Sequence, residues 1–266
     1  MNCEYAGGGS IVVYAQGVSK PLSAIGGFFA MALDALFLMP RRPFAWRELL
    51  HQTWFVARVS ILPTLMLSIP FMVLIVFMLN ILLSEFGAAD LSGSGAALGA
   101  VTQIGPLVTV LVVAGAGATA MCADLGARTI REELDALRVM GINPVQALVV
   151  PRVLAATVVA LALSSSVTLV GLTGSFFFSV FIQHVTPGAF ASSLTLLVGL
   201  PDMIVALAKA ALFGLAASLI ACYKGVSVER GPAGVGNAVN ETVVYAFMAL
   251  FVINVVVTAV GVKATM

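Results

Sequence analysis

Charge is scarce in this sequence. Lys, Arg, Asp and Glu make up 9% of its 266 residues, and 13 cations against 12 anions leave a net charge of +1. Soluble domains carry about 25% charge, so an ordinary water-soluble domain is excluded. There is no basic field to hold nucleic acid. The three cysteines, Cys3, Cys122 and Cys222, form no CxxC pair and no metal spacing, and they read as small apolar fillers. No GxxxxGK followed by Ser or Thr occurs, so the chain has no P-loop for ATP. No HExxH occurs either. The two histidines, His51 and His184, are expected at opposite membrane faces and cannot assemble a nucleophile–base set. The chain is therefore expected to be no enzyme and to hold neither cofactor nor metal. The first twenty residues, "MNCEYAGGGSIVVYAQGVSK", lack a basic leader and a continuous apolar core. They read as a flexible tail, with "GGGS" as its loosest part.

What is abundant is apolar surface. Hydrophobic residues make up 61% of the chain, and the mean hydropathy is +1.09. A spanning helix takes about 20 apolar residues, and five stretches qualify: about 61–83, 98–123, 145–182, 203–223 and 242–262. Backbone polar groups in hydrocarbon must be satisfied within the segment, which makes helices the expected form. A sixth stretch, "PLSAIGGFFAMALDALFLM" at 21–39, is weaker. It contains Asp34 and Gly26-Gly27, while Leu22, Ile25, Phe29, Leu33 and Leu36 recur at helical spacing. We read 21–50 as an interfacial amphipathic region rather than a further span, and 51–266 as one membrane domain.

Lys and Arg in the loops set the orientation. With the N-terminus inside, the cytoplasmic face receives Lys20, Arg41, Arg42, Arg47, Arg58, Arg128, Arg131, Arg138, Arg152, Lys224 and Arg230. The outer loops 84–97 and 183–202 contain Glu85, Asp90 and Asp202 and no Lys or Arg. Only Lys263 falls outside, and the C-terminus is expected there too.

The remaining charge is concentrated in "RTIREELDALRVMGINPVQALVVPR", between the second and third spans. Nothing from Ala127 to Met140 breaks a helix. Ile130, Leu134 and Leu137 form an apolar stripe, and Arg128 with Glu132, and Arg131 with Asp135, are spaced as i,i+4 pairs. Gly141 fits the stop position after a helix, and Asn143-Pro144 fits a cap followed by proline in the first turn of the next. The expectation is a short cytoplasmic amphipathic helix over about 127–141. With no energy source elsewhere in the chain, a charged helix of this kind reads as a docking element.

"GPLVTVLVVAGAGATAMCADLGARTIREELDALRVMGINPVQALVVPRVLA" resembles the signature region of the MlaE/YrbE permeases, the membrane subunits of ABC transporters that work on lipids with MCE-domain proteins. The matching features are Gly105-Pro106, the small run Ala114 to Ala118, Asp124 to Gly126, Glu133 through Pro144, and Pro151-Arg152. Residues 224–258 resemble the family's last cytoplasmic loop and fifth span. The resemblance implies an all-α integral membrane protein with five spans and a coupling helix seated in a groove of a separate ABC ATPase subunit. By matched position it assigns Glu132, Glu133, Leu134, Asp135, Leu137, Met140 and Gly141, flanked by Arg131 and Arg138, to the ATPase contact. The charges would set register and the apolar stripe would supply buried area.

The sequence departs from the family pattern at Gln103-Ile104, at Ala116 and at Asn254, where family members often carry charge. These losses suit one of two non-identical permeases in a heterodimer of the mycobacterial Mce type. The implied activity is ATP-driven lipid movement, import in direction, between an extracytoplasmic MCE tunnel and the bacterial inner membrane. The alternative is a scaffold that anchors MCE proteins without transport. Lys209 and Asn254 lie at similar depth in the fourth and fifth spans, and a charge inside a span is a functional hypothesis by default. We expect Lys209 to face the lipid pathway near Asn254.

Overall fold

The computed structural model describes residues 26–39, 45–87, 92–182, 184–229 and 231–265. The tail 1–20 and the stretches 21–25 and 40–44 fall outside them. Among the described residues every regular element is helical, and five helices are long and apolar enough to cross a membrane.

The N-terminal helix α1, Gly26–Leu38, reaches about 20 Å at about 1.5 Å per residue, short of a roughly 30 Å hydrocarbon core. Its small face, Ala32 and Ala35, is buried, while Phe29, Leu33 and Phe37 stay exposed. Phe28 meets the Tyr223 ring edge to face. One face of this short apolar helix packs on the bundle and the other is open. It ends well before residue 50, because 46–50 already belong to the next helix.

Span one is α2, Trp46–Glu85. It begins fifteen residues before the apolar run, because the polar residues that mask its start are used inside the bundle. Gln52, Val56, Ser60, Thr64 and Ser68 form a buried stripe at four-residue spacing, continued by Met72 and Val76. Pro63 and Pro70 lie within the helix. Each removes one backbone donor. The Thr64 hydroxyl donates to the Ser60 carbonyl at 2.6 Å, which satisfies this buried hydroxyl within its own helix.

Span two, Gly93–Ile130, alternates α-helical and π-helical turns: α3 (Ser92–Leu98), a π segment (Gly99–Ile104), α4 (Gly105–Val112), a second π segment (Val113–Ala118) and α5 (Thr119–Ile130). It is the most enclosed of the five. After the short helix α6, Glu133–Val139, span three is a π turn, Val145–Val149, running into α7, Val150–Phe181. Then come α8, Pro187–Leu197, and span four, α9, Leu200–Val226. Span five is α10, Pro232–Thr265. The outer stretch 183–202, expected as a loop, therefore holds a helix. Proline in the first turn of α8 starts it, and the buried Phe190 secures it against Phe176.

Side-chain contacts fix the senses of the helices. Spans one and three run alike: Glu48 approaches Arg152 near one end, Met72 lies 3.2 Å from where a Cβ at Gly171 would be, and Phe77 meets Phe178 near the other. Spans three and four are antiparallel and nearly in backbone contact at Gly214, and span five returns along span four from Glu241 beside Lys224 to Gly261 beside Val205. Of the small residues in span two, Ala114 and Ala118 are fully buried, and a Cβ at Gly117 would rest on Ser60 and Val56, whereas Gly115 is open. Most of that small-residue run thus packs within this chain.

Candidate functional site

The sequence predicts one helix through the charged stretch; the structure divides it. α5 ends at Ile130, and Glu132 takes the left-handed conformation, φ 58°. α6 then restarts at Glu133. No glycine or proline marks the break. The chain turns because Leu134 enters the apolar cluster of Leu125, Leu148, Val149 and Val153, a position it could not reach on a straight extension of α5. The turn is held by the Glu132 amide donating to the Thr129 carbonyl, and the Thr129 hydroxyl reaches the Gly225 carbonyl on span four at 2.9 Å.

The far end of α6 follows expectation. Gly141, at φ 75°, closes a Schellman motif: its amide donates to Arg138 O at 3.0 Å, and the Ile142 amide donates to Leu137 O at 2.9 Å. Asn143 Oδ1 then accepts the Val145 amide at 2.9 Å, capping span three behind Pro144.

With the helix broken, the i,i+4 pairs of Arg128 with Glu132 and of Arg131 with Asp135 do not form. Arg128 reaches Asp124 at 3.5 Å and Glu133 at 4.0 Å, Arg131 reaches Glu133 at 3.2 Å, and Arg138 pairs with Asp135 at 2.9 Å. A second correction concerns the apolar stripe. Leu134 is 5% exposed and Leu137 is half-buried, both packed on their own bundle, so they do not offer free area to a partner. The open apolar surface of α6 is Val139, 89% exposed, with Met140 and Ile142. Arg131, Glu132, Asp135, Arg138, Met140 and Gly141 are exposed, and Glu133 is half-buried.

Glutamate in the left-handed region costs about 1–2 kcal/mol, which glycine avoids. Glu132→Gly is expected to raise thermal stability in detergent by about 1 kcal/mol, and Glu132→Val, β-branched at positive φ, to lower it by at least as much. Equal melting of the two variants would show that the turn is not held.

Sequence reasoning gave the most buried charge no site role. Arg152, read as a cytoplasmic-face cation and as part of the Pro151-Arg152 match, has a side chain of 0% exposure. Its Nη2 lies 2.5 Å from Asp124 Oδ2 and 3.9 Å from Glu48 Oε1, and its Nη1 donates to Leu148 O at 2.9 Å. Glu48 also accepts the Gln52 amide at 2.8 Å. The available signal was a lone arginine inside an apolar run, which needs a partner. Lys224 and Glu241 form a separate pair at 2.5 Å, beneath the Tyr245 ring.

Lys209 is 2% exposed, on the face of α9 that carries Phe213 and Ala217, and among the described residues it forms no ion pair. It does not reach out to a surface as a snorkelling lysine would. Asn254 Oδ1 is buried and has no hydrogen-bond partner among the described residues. The antiparallel register of α9 and α10 puts the two residues within about one turn, about 5 Å, of a common depth. No hydrogen bond joins them.

A family profile described as Permease MlaE matches residues 49–260. A probable ABC transporter permease of Synechocystis is 30% identical over 169 residues, 64% of each chain. The intermembrane phospholipid transport system permease protein MlaE of Haemophilus influenzae is 28% identical over 181 residues, 68% of this chain and 69% of its own. The chloroplastic protein TRIGALACTOSYLDIACYLGLYCEROL 1 of Arabidopsis thaliana is 29% identical over 157 residues, 59% of this chain and 45% of its own. The chain thus spans about two thirds of the length of these bacterial relatives.

Proposed function

This chain belongs to the MlaE permease family, and on that premise we propose that it is the membrane subunit of an ATP-driven lipid transporter. The observation that carries the reading is α6, a short charged helix held outside the bundle between spans two and three. Its exposed Asp135, Arg138, Val139 and Met140 are a surface for an ABC ATPase. Arg128, Arg131, Arg138, Arg152 and Lys224 gather at the α6 end, and Glu85 and Asp202 lie at the other. By the positive-inside rule the α6 end is cytoplasmic in a bacterial inner membrane, the N-terminus lies with it, and the C-terminus is extracytoplasmic. The opposite end, with α8, faces MCE-domain proteins. Span five leaves Met248, Val252, Val255 and Val256 open, apolar area for lipid and for a second permease. The absence of charge at Gln103, Ile104, Ala116 and Asn254 favours a non-identical partner, as in a mycobacterial Mce system.

The cargo is a phospholipid-like amphiphile, imported, whose polar head meets Lys209 and Asn254. Because Lys209 is enclosed here, ATP-driven movement of the spans must open the way to it. The test uses the permease pair, ATPase and MCE protein in proteoliposomes with a fluorescent phospholipid. Transfer should require ATP. Lys209→Met should keep assembly and lower transfer about tenfold or more, given about 1.5–3 kcal/mol for a hydrogen bond to a charged group. Lys209→Arg should retain part of it. Wild-type transfer by Lys209→Met would remove this residue from the pathway. An assembled complex that moves no lipid would leave a scaffold.

A further inference from the structure

We infer that the Asp124–Arg152 ion pair is the joint through which movement of α6 reaches spans one and three, an inference that rests on α6 being the ATPase-docking helix. Left-handed residues flank α6 on both sides, Glu132 at φ 58° and Gly141 at φ 75°. Helical hydrogen bonding is interrupted at each, so α6 is a rigid unit between two sharp turns. A force applied to it cannot pass up α5 as through one continuous rod. It must cross through side chains.

Two routes exist. One is apolar, through Leu134 and Leu137 in their cluster, where packing is non-directional and can slide. The other is a chain of alternating charge. Glu133 on α6 touches Arg128 on α5, Arg128 shares Asp124 with Arg152 on α7, and Arg152 approaches Glu48 on α2. Each link is 4.0 Å or shorter. The chain grows tighter and drier inward, from 4.0 Å at the half-exposed Glu133 to 2.5 Å at the fully buried Arg152. A buried guanidinium cannot leave its carboxylate without being stranded unpaired, so this link follows its partner instead of slipping. Arg152 also grips Leu148 O within the π turn Val145–Val149, at its junction with the regular helix of span three. π turns are irregular and frequent at functional sites. The same guanidinium therefore ties the irregular turn of span three, the end of span two and the start of span one into one unit. Arg152 acts here as a positioning residue and touches neither lipid nor nucleotide.

The measurement is lipid molecules moved per ATP hydrolysed, in proteoliposomes holding the full complex with a fluorescent phospholipid. Arg152→Lys keeps a buried cation beside Asp124 but cannot hold Asp124 and Leu148 O together in a planar fork. It should lower the ratio at least about tenfold while ATP hydrolysis continues. Asp124→Asn should do the same. Arg128→Gln, on the less buried middle link, guards against misfolding of the other two and should lower the ratio in the same direction. A purely structural role would reduce transfer and hydrolysis in proportion, and an unchanged ratio in Arg152→Lys or Arg128→Gln overturns the inference. If the wild-type complex hydrolyses ATP without moving lipid, the transport reading falls instead, and if the ATPase still co-purifies with a permease in which Glu133 and Asp135 are both lysine, the docking reading does.

Discussion

Replacing Glu133 and Asp135 together with lysine is expected to release the ATPase from the purified complex while the permease still inserts. The two changes turn segment 131–138 from net −1 to net +3. Removing one partner of a charged pair buried at an interface costs about 2–5 kcal/mol. Two such removals weaken association about a thousandfold or more, enough to abolish co-purification at micromolar concentration. Within the free permease the same residues matter little. The Arg131–Glu133 and Arg138–Asp135 pairs lie largely in water, and exposed pairs contribute about 0–1 kcal/mol. α6 stays anchored through Leu134. Co-purification and the monodispersity of the permease in detergent are read from the same preparation. Undiminished binding by the doubly reversed chain would mean that the ATPase docks elsewhere.

That experiment targets a helix whose existence was legible in the sequence and whose shape was not. The cluster of charge in an apolar chain exposes the segment, and Gly141, Asn143 and Pro144 mark its far end by local stereochemistry. The near end carries no such mark. The turn at Glu132 is imposed by the burial of Leu134 among residues of α5 and span three, a tertiary gain that outweighs the strain of a left-handed glutamate. Once α5 and α6 part, the i,i+4 spacing no longer predicts ion pairs. Arg128 turns back to Asp124, and Arg131 meets Glu133 across the break.

The five spans were legible because hydrocarbon imposes length and apolarity on every residue of a run. Their ends were not. Glu48 and Gln52 look like loop residues, yet they lie inside α2 because Arg152 and Glu48 meet across the bundle. Arg152 itself looked like a cytoplasmic-face cation, since sequence spacing cannot show that span three begins with a π turn and carries it inward. α8 was hidden in a stretch too short to span and too apolar to read as a turn. The shared level of Lys209 and Asn254 was legible from residue counting. Its enclosure was not, because the face it occupies is set by how closely spans three and four approach.

That approach depends on a single atom's absence. Gly214→Leu is expected to prevent recovery of folded permease, and Gly214→Ala to destabilise it by about 1–3 kcal/mol, the usual cost of overpacking. A Cβ at 214 would lie 2.7 Å from both Ala156 O and Thr157 Cα, and 2.9 Å from Ala160 Cβ, where ordinary contact begins near 3.4 Å. Two of those three neighbours are backbone atoms of span three, so no rotamer change relieves them and the helices must separate. Gly115 is the control. A Cβ there meets nothing within 4 Å, and Gly115→Ala should be neutral or gain up to about 1 kcal/mol from helix propensity. Fluorescence-detected size exclusion after heating reads all three variants in one detergent. Separation at Gly214 would also act on function, because Lys209 lies just over one turn away on the same buried face as Phe213 and Ala217. Any Gly214→Ala protein that survives should leave Lys209 reachable from water without ATP. This can be measured as faster modification of Lys209 by an amine-reactive probe than in the wild-type chain. If Gly214→Ala melts with Gly115→Ala and Lys209 stays equally protected, the close approach of spans three and four does not set the enclosure of that lysine.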